Sequence, residues 1–313
     1  MENDILRETN FPWLGKKYTG KVRDVYEQES QVILVTTDRH SSFDRIIAHI
    51  PWKGQVLNQI SAFWFNETKD IVPNHCLAIP DPNVTVGKKC KTVPVEAVVR
   101  GYITGVTGTS LWTHYSKGKR DFGNFTLPDG MKKNQKLPEP VFTPTTKSDT
   151  HDRPLSPQEM VAEKIVSQEM IDKIERTALA LFKRGTEIAK RKGLILVDTK
   201  YEFGISDDNE LTLIDEIHTP DSSRYWQLDS YGERFASGGE PQYFDKEFLR
   251  LWFKENCDPY KDAKLPDAPI ELVEELSRRY IQMYEQLTGE KFIRGEIPVL
   301  PRIERNMKRY ART

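Results

Sequence analysis

Leu194-Ile195-Leu196-Val197-Asp198-Thr199-Lys200-Tyr201-Glu202-Phe203 opens on an unbroken apolar run and then carries charge at every second position. Successive side chains of an extended strand alternate faces, so Asp198, Lys200 and Glu202 project together from one surface. Gly204 to Glu210 reads as a turn and Leu211-Thr212-Leu213-Ile214-Asp215-Glu216-Ile217 as a second strand. Paired as a hairpin, the two segments bring Asp215 to the Lys200/Glu202 end. Convergent carboxylates are the hard oxygen ligands of Mg²⁺, which leaves its other positions to water and substrate phosphates. The alternative is a solvated strand face with ordinary ion pairs. A strand that opens on four aliphatics of the buried type argues against it.

Outward from this segment, Lys21 to Glu27 and Gln31 to Thr36 alternate as two strands of a hairpin. Val56, Leu57, Ile60, Phe63 and Trp64 recur at helical spacing and predict a helix from Gly54 to about Lys69. Residues 72–91 read as short strands and loops, followed by the apolar run Val93 to Val99. Residues 116–156 show little periodicity and read as a long loop, a kind that is usually functional or disordered. Ser156-Pro157-Gln158-Glu159 is a capping box that opens a helical region, with a break near Ser167 and an end at the basic stretch before Gly193. Another amphipathic helix covers about Ile270 to Leu287, stopped by Gly289, and a short basic helix starts near Pro301. Strands thus come in hairpins instead of alternating singly with helices, which indicates an α+β fold and disfavours a doubly wound parallel sheet.

At 313 residues the chain can bury a large core without staples. Its 46 Lys+Arg against 47 Asp+Glu create no field that would attract nucleic acid or an anionic membrane, so the expected partners are small molecules. Cys76, Cys90 and Cys257 form no C-x-x-C pair, which argues against a disulfide framework or zinc site and fits a reducing cytoplasm. Met1 to Glu8 lacks an apolar core, and no run of about 18 uncharged apolar residues exists, so neither export nor a membrane span is expected.

Gly15-Lys16-Lys17-Tyr18-Thr19-Gly20-Lys21-Val22 falls one residue short of a P-loop, because Val22 stands where a hydroxyl must reach Mg²⁺. A better reading takes Gly20-Lys21-Val22-Arg23-Asp24 as a glycine-assisted turn entering a strand and lying over a nucleotide, as a kinase-type loop does; the alternative is an exposed basic turn. Asp38-Arg39-His40-Ser41-Ser42-Phe43-Asp44 is a polar segment at a strand end, where binding groups tend to sit. Arg100, followed by Gly101 to Ser110, offers a guanidinium fork suited to a phosphate monoester. Its alternative is a structural pairing with Glu96 or Asp121. Thr219-Pro220-Asp221-Ser222-Ser223-Arg224 is a turn beside the carboxylates, with a second guanidinium that turn chemistry does not require.

In order and spacing, these motifs resemble those of the SAICAR synthetases, the phosphoribosylaminoimidazole-succinocarboxamide synthases of purine biosynthesis. The resemblance is carried by Gly20 to Glu27, Thr37 to Asp44, Val98 to Gly105, Phe142 to Lys147, Val197 to Gly204 and Asp215 to Arg224. It implies a two-domain α+β fold, with a small β-rich nucleotide lobe like that of kinases at 1–93, a larger domain at 94–313, and ATP in the cleft. It also implies that the carboxylate of 5-amino-1-(5-phospho-ribosyl)imidazole-4-carboxylate (CAIR) is joined to the amino group of L-aspartate while ATP becomes ADP and phosphate.

By the same resemblance, Gly20, Lys21, Val22 and Arg23 lie at the ATP, with Lys21 and Arg23 on its phosphates, and Glu202 and Asp215 hold Mg²⁺. Lys200 lies near the substrate carboxylate, and Arg100, Ser110 and Arg224 surround the ribose phosphate. Asp198 is a further metal or network ligand, and Asp221 takes the amine proton or holds the imidazole amino group. Ser41, Ser42 and the loop from Lys147 to Asp152 form the aspartate pocket. The family has Ser directly after R-G-Y-I-T-G; here Val106 stands there and Ser110 follows four residues later, so Val106 to Thr109 reads as a small insertion. A small-molecule kinase dependent on Mg²⁺ and ATP is the alternative enzyme class. A nucleotide-sensing or RNA-binding protein without catalysis is a third reading, opposed by the neutral charge.

Overall fold

In a computed structural model that describes residues 5–43, 45–147, 153–244 and 247–311, hairpins dominate the first part of the chain. β1 (Lys16–Thr19), β2 (Arg23–Glu27) and β3 (Gln31–Thr36) form a meander, and β4 (Arg39–Ser42) pairs with β5 (Arg45–His49). After α1 (Lys53–Glu67), β6 (Cys76–Asp81) and β7 (Val84–Lys88) complete a five-stranded sheet in the order β1-β2-β3-β7-β6. No helix follows Gly20-Lys21-Val22, which removes the P-loop reading.

β8 (Lys91–Ile103) begins the second sheet. α2 (Leu111–Ser116), β9 (Gln135–Phe142), β10 (Thr145–Thr146), α3 (Pro157–Ala162) and α4 (Gln168–Arg191) lie between it and β11 (Leu194–Ile205). β11 is central: β8 pairs along one edge, and β12 (Leu211–Ile214) and β13 (Ser223–Gln227) also pair with it. α5 (Leu228–Ala236), α6 (Glu247–Asn256), α7 (Ile270–Thr288) and α8 (Val299–Met307) follow. The paired strands of these sheets run antiparallel, as an α+β fold requires.

Local chemistry accounts for most boundaries. Ser156 and Glu159 close the capping box, Ser167 caps α4, and Gly289 ends α7 at φ 80°. On α4, Ile171, Ile174, Ala178, Leu181, Phe182 and Ile188 form the apolar stripe that packs on β8 and β11. The stretch expected to be a long loop contains β9 and β10. Pro138 and Pro140 mask β9 in the sequence, yet β9 pairs through β8 alone, and an edge strand tolerates residues without an N–H.

The two cores interleave the chain. Val299, Ile303 and Met307 of α8 pack with Leu6, Leu14, Tyr26, Ile33 and Val84 on the first sheet, whereas α1 joins α7 and the second sheet in the larger core. The expected division at 93/94 falls inside β8, whose Lys91 and Thr92 already pair with Ile205 and Gly204 of β11.

Candidate active site

Strand register builds the site. Asp198 lies opposite Arg100 on β8 and Arg224 on β13, Lys200 opposite Val98, and Glu202 opposite Glu96. Directly opposed residues of an antiparallel pair share a face, so the alternation seen in the sequence becomes one charged surface. Lys200 donates to Glu96 at 2.6 Å and to Glu202 at 3.0 Å, and Lys147 donates to the other oxygen of Glu202. Burial opposes the charge on Glu202, but Lys200 and Lys147 outweigh it and hold its carboxyl at about 2. Burial likewise opposes the charge on Lys200; Glu202 and Glu96 overcome it, so this ammonium stays protonated well beyond its ordinary range.

β12 stops at Ile214 and Asp215 turns out of the strand at φ 66°, short of the strand end expected at Ile217. A left-handed residue cannot continue a pleated strand. Arg23, expected on the ATP phosphates, instead donates to Asp215 at 2.9 Å and lies 2.8 Å from Glu216. A guanidinium this buried and doubly paired is a clamp on the carboxylates, and Lys21 remains as the exposed cation of the turn. Burial pushes the Asp215 carboxyl up to about 6; Arg23 opposes this, while Glu202 and Glu216 add to it. No group of three or more His, Cys, Asp and Glu gathers in metal-holding geometry among the described residues. Two carboxylates close enough for Glu202 to raise the Asp215 carboxyl are nevertheless the hard oxygen donors that Mg²⁺ takes, so Glu202 and Asp215 fit that ion.

At the other end of the face, Asp198 accepts from Arg224 at 2.6 Å and from Arg100 at 3.5 Å, and Arg100 also donates to Thr143 at 2.9 Å. Asp198 thus takes part in a guanidinium network, and Arg100 pairs with neither Glu96 nor Asp121 among the described residues. Burial lowers the proton affinity of Arg100, an effect that Asp198 offsets in part and Arg224 reinforces. Gly105 has φ 100°, and a Cβ built there would lie 2.5 Å from the Cβ of Ser110 and 3.5 Å from a guanidinium nitrogen of Arg224. Val106 to Thr109 therefore loop out, and Ser110 returns beside Gly105 while its hydroxyl caps α2. Beside Arg100 lies a cavity of about 420 Å³ bordered by His114, Lys119, Asn124 and Thr143.

A family model described as SAICAR synthetase matches residues 16–266. The chain belongs to the SAICAR synthetase family. It is 58% identical over 307 residues to the phosphoribosylaminoimidazole-succinocarboxamide synthase of Legionella pneumophila (strain Paris), covering 97% of this chain and 98% of that one. It is 54% identical over 310 residues to the chloroplastic enzyme of Arabidopsis thaliana, covering 97% and 75% of the two chains. Among solved structures, the SAICAR-synthase from Saccharomyces cerevisiae complexed with SAICAR superposes with TM-score 0.78 at 33% identity, over 92% of this chain and 99% of that one. A SAICAR synthetase in complex with ADP superposes with TM-score 0.67 at 25% identity, over 89% and 100%. Membership makes the chain an ATP-dependent ligase of purine biosynthesis, as the motifs led one to expect, and disfavours the kinase alternative.

Within this SAICAR synthetase, Asp221 accepts from Lys53 at 2.5 Å and from Tyr280 at 2.9 Å, and its turn is tied to β11 where the Ser222 carbonyl accepts from the Lys200 N–H at 3.1 Å. Ser41 and Ser42 lie on β4, with the Ser42 hydroxyl buried and unbonded. Asp44 and Asp152 lie outside the described residues.

Sequence reading missed several contributors. Arg39 donates to the carbonyls of Gly20 at 3.0 Å and Lys21 at 3.3 Å and to Asp24 at 2.8 Å, fixing the nucleotide turn from behind. Arg250 borders a small cavity with Arg224, Lys133 and Tyr243. Lys53, Tyr280 and Arg250 come from helices far away in sequence and belong to none of the motifs. The pairing of Glu96 with Lys200 was legible only through the register of β8 against β11. No described helix is long and apolar enough to cross a membrane, and the three cysteines are free.

Proposed function

We propose that the charged face of β8, β11 and β13 joins CAIR to L-aspartate through an acyl phosphate. A carboxylate is a poor electrophile. In the first step its oxygen attacks the γ-phosphorus of ATP, the bond from that phosphorus to the β-phosphate oxygen breaks, and ADP leaves. In the second step the amine of aspartate attacks the acyl carbon, the C–O bond to phosphate breaks, and the nitrogen loses a proton.

Lys200, kept cationic by Glu96 and Glu202, steadies the attacking carboxylate. Lys21 lies over the nucleotide phosphates, and Arg23 holds Asp215 and Glu216 in place behind them. Glu202 and Asp215 would hold Mg²⁺, which when bound would supply positive charge to the phosphates. Arg100, Ser110 and Arg224, with Arg250 beside them, receive the ribose phosphate. Lys147, Ser41, Ser42 and the segment to Asp152 receive aspartate. The three free cysteines suit a reducing compartment such as the cytoplasm.

The observation that carries this reading is the single face on which the Lys200–Glu202 carboxylate cluster and the Arg100–Asp198–Arg224 network stand side by side on one strand, Asp198 preceding Lys200 by two residues and Glu202 by four. That spacing separates an activation end from a phosphate-anchoring end. CAIR labelled with ¹⁸O in its carboxylate tests the intermediate. One labelled oxygen should appear in the released phosphate; unlabelled phosphate would overturn the acyl-phosphate route.

A further inference from the structure

Asp221 is held by two residues from distant helices. Lys53 opens α1, is wholly buried, and places its ammonium 2.5 Å from one carboxylate oxygen and 3.0 Å from the carbonyl of Arg39. Tyr280, wholly buried on α7, donates its hydroxyl to the other oxygen at 2.9 Å. The packing of α1 on α7 brings the two donors together, and the backbone of the Asp221 turn is fixed from the other side through Thr219 and the Lys200–Ser222 bond. Carboxylate plane and turn are therefore both pinned. Arg23 and Asp38 are further charged groups in electrostatic reach of the pair.

Burying an ammonium is costly, and an ion pair of this kind seldom adds stability over an apolar replacement. A group that must gain and lose a proton in each turnover is also badly served here, because protonating Asp221 would break its 2.5 Å ion pair with the buried ammonium of Lys53. A carboxylate offers about four acceptor sites, so the two bonds from Lys53 and Tyr280 do not by themselves exhaust it as an acceptor for a substrate N–H.

We propose that Lys53 and Tyr280 are positioning residues that fix Asp221 as an anionic acceptor for the amino group of the imidazole substrate, and that Asp221 does not take the proton from the attacking amine. This rests on the reading that Asp221 touches substrate. Fixing the imidazole ring in its plane orients the adjacent carboxylate toward Lys200 and the nucleotide.

Steady-state kinetics of Asp221→Asn, Tyr280→Phe and Lys53→Met, with all three substrates varied and a thermal melt for each, test the proposal. Tyr280→Phe removes one hydroxyl and should raise KM for CAIR about tenfold while leaving KM for ATP unchanged. Lys53→Met should show the same split more strongly; if it does not fold, Tyr280→Phe decides alone. Wild-type kinetics in Asp221→Asn would remove the underlying reading and the proposal with it. An impaired Asp221→Asn beside a Tyr280→Phe that changes only its melting temperature would overturn the positioning role and leave the reading standing. A fall in kcat with KM for CAIR unchanged in Tyr280→Phe would overturn the acceptor role in favour of a base.

Discussion

Glu202 is the residue on which most of the site converges, because Lys147, Lys200 and, across the strand, Glu96 all meet it. Glu202→Gln keeps size but removes the charge that two ammonium groups face and that the proposed Mg²⁺ site would need, and it turns one acceptor into a donor. Turnover should fall by roughly 100-fold or more while the far-UV spectrum and melting cooperativity persist; a fully active variant would sink the metal assignment. Arg224→Ala should act differently, raising KM for CAIR by about tenfold or more with little change in KM for ATP, because the guanidinium, bonded to Asp198 26 positions away in sequence, is the proposed seat of the ribose phosphate. Equal effects on both substrates would contradict a ribose-phosphate role. Roles of this kind were legible where residues lie at strand spacing or in short motifs. The clamp that Arg23 forms was not legible, because a sequence shows a cation next to a glycine turn and cannot show that two carboxylates almost two hundred residues on pair with it.

At the scale of elements, the seam between α4, β11 and the 215–218 turn holds the metal hairpin in place. His218, at φ 50°, packs edge-on against Trp64 with ring centroids 4.7 Å apart and meets the Tyr201 hydroxyl at 2.5 Å. Burial lowers its imidazole from the usual 6.5 to about 3, so the folded state disfavours the protonated ring. The stability contributed by neutral His218 is thus fully present above pH 6.5 and is lost as pH falls toward 3, at about 1.4 kcal/mol per pH unit. Other buried groups, Asp38 and Asp215 among them, titrate in the same window, so the test is the difference: in urea melts between pH 7 and 5 the parent should lose more stability toward acid than His218→Gln, and identical pH dependence would refute it. Gly185 faces the same seam, where a Cβ would press into the His218 ring and approach a methyl of Leu196 at 2.8 Å. Gly185→Ala should therefore destabilise by roughly 1–3 kcal/mol through overpacking, despite the better helix propensity of alanine. A rise in melting temperature would show that the seam has slack. Helices α4 and α7 were legible because caps and apolar periodicity agree, whereas β9 was hidden by prolines that only its edge position excuses.

Across the whole molecule, the chain's ends cross over to complete each other's cores. α8 closes the first sheet with Val299, Ile303 and Met307, and its buried Arg302 donates to both oxygens of Asp81. Truncation before Val299 should cost ~5 kcal/mol or more from lost apolar burial alone, comparable with the whole stability of many domains, and should make the first sheet sensitive to protease. Unchanged protease resistance would mean that α8 is dispensable to that core. The α+β class and the two sheets could be read from hairpin spacing, but the interleaving could not, since nothing local in residues 299–307 says which sheet they cover. In the proposed reaction the two ends of the charged face are coupled, so that nucleotide cleavage is productive only when the amine arrives. ADP release should be measured with Mg²⁺-ATP and CAIR, with and without L-aspartate, while the succinocarboxamide product is followed. The account predicts aspartate-dependent ADP release matched one for one by product; sustained ADP release without amide formation, or no turnover at all, would contradict it.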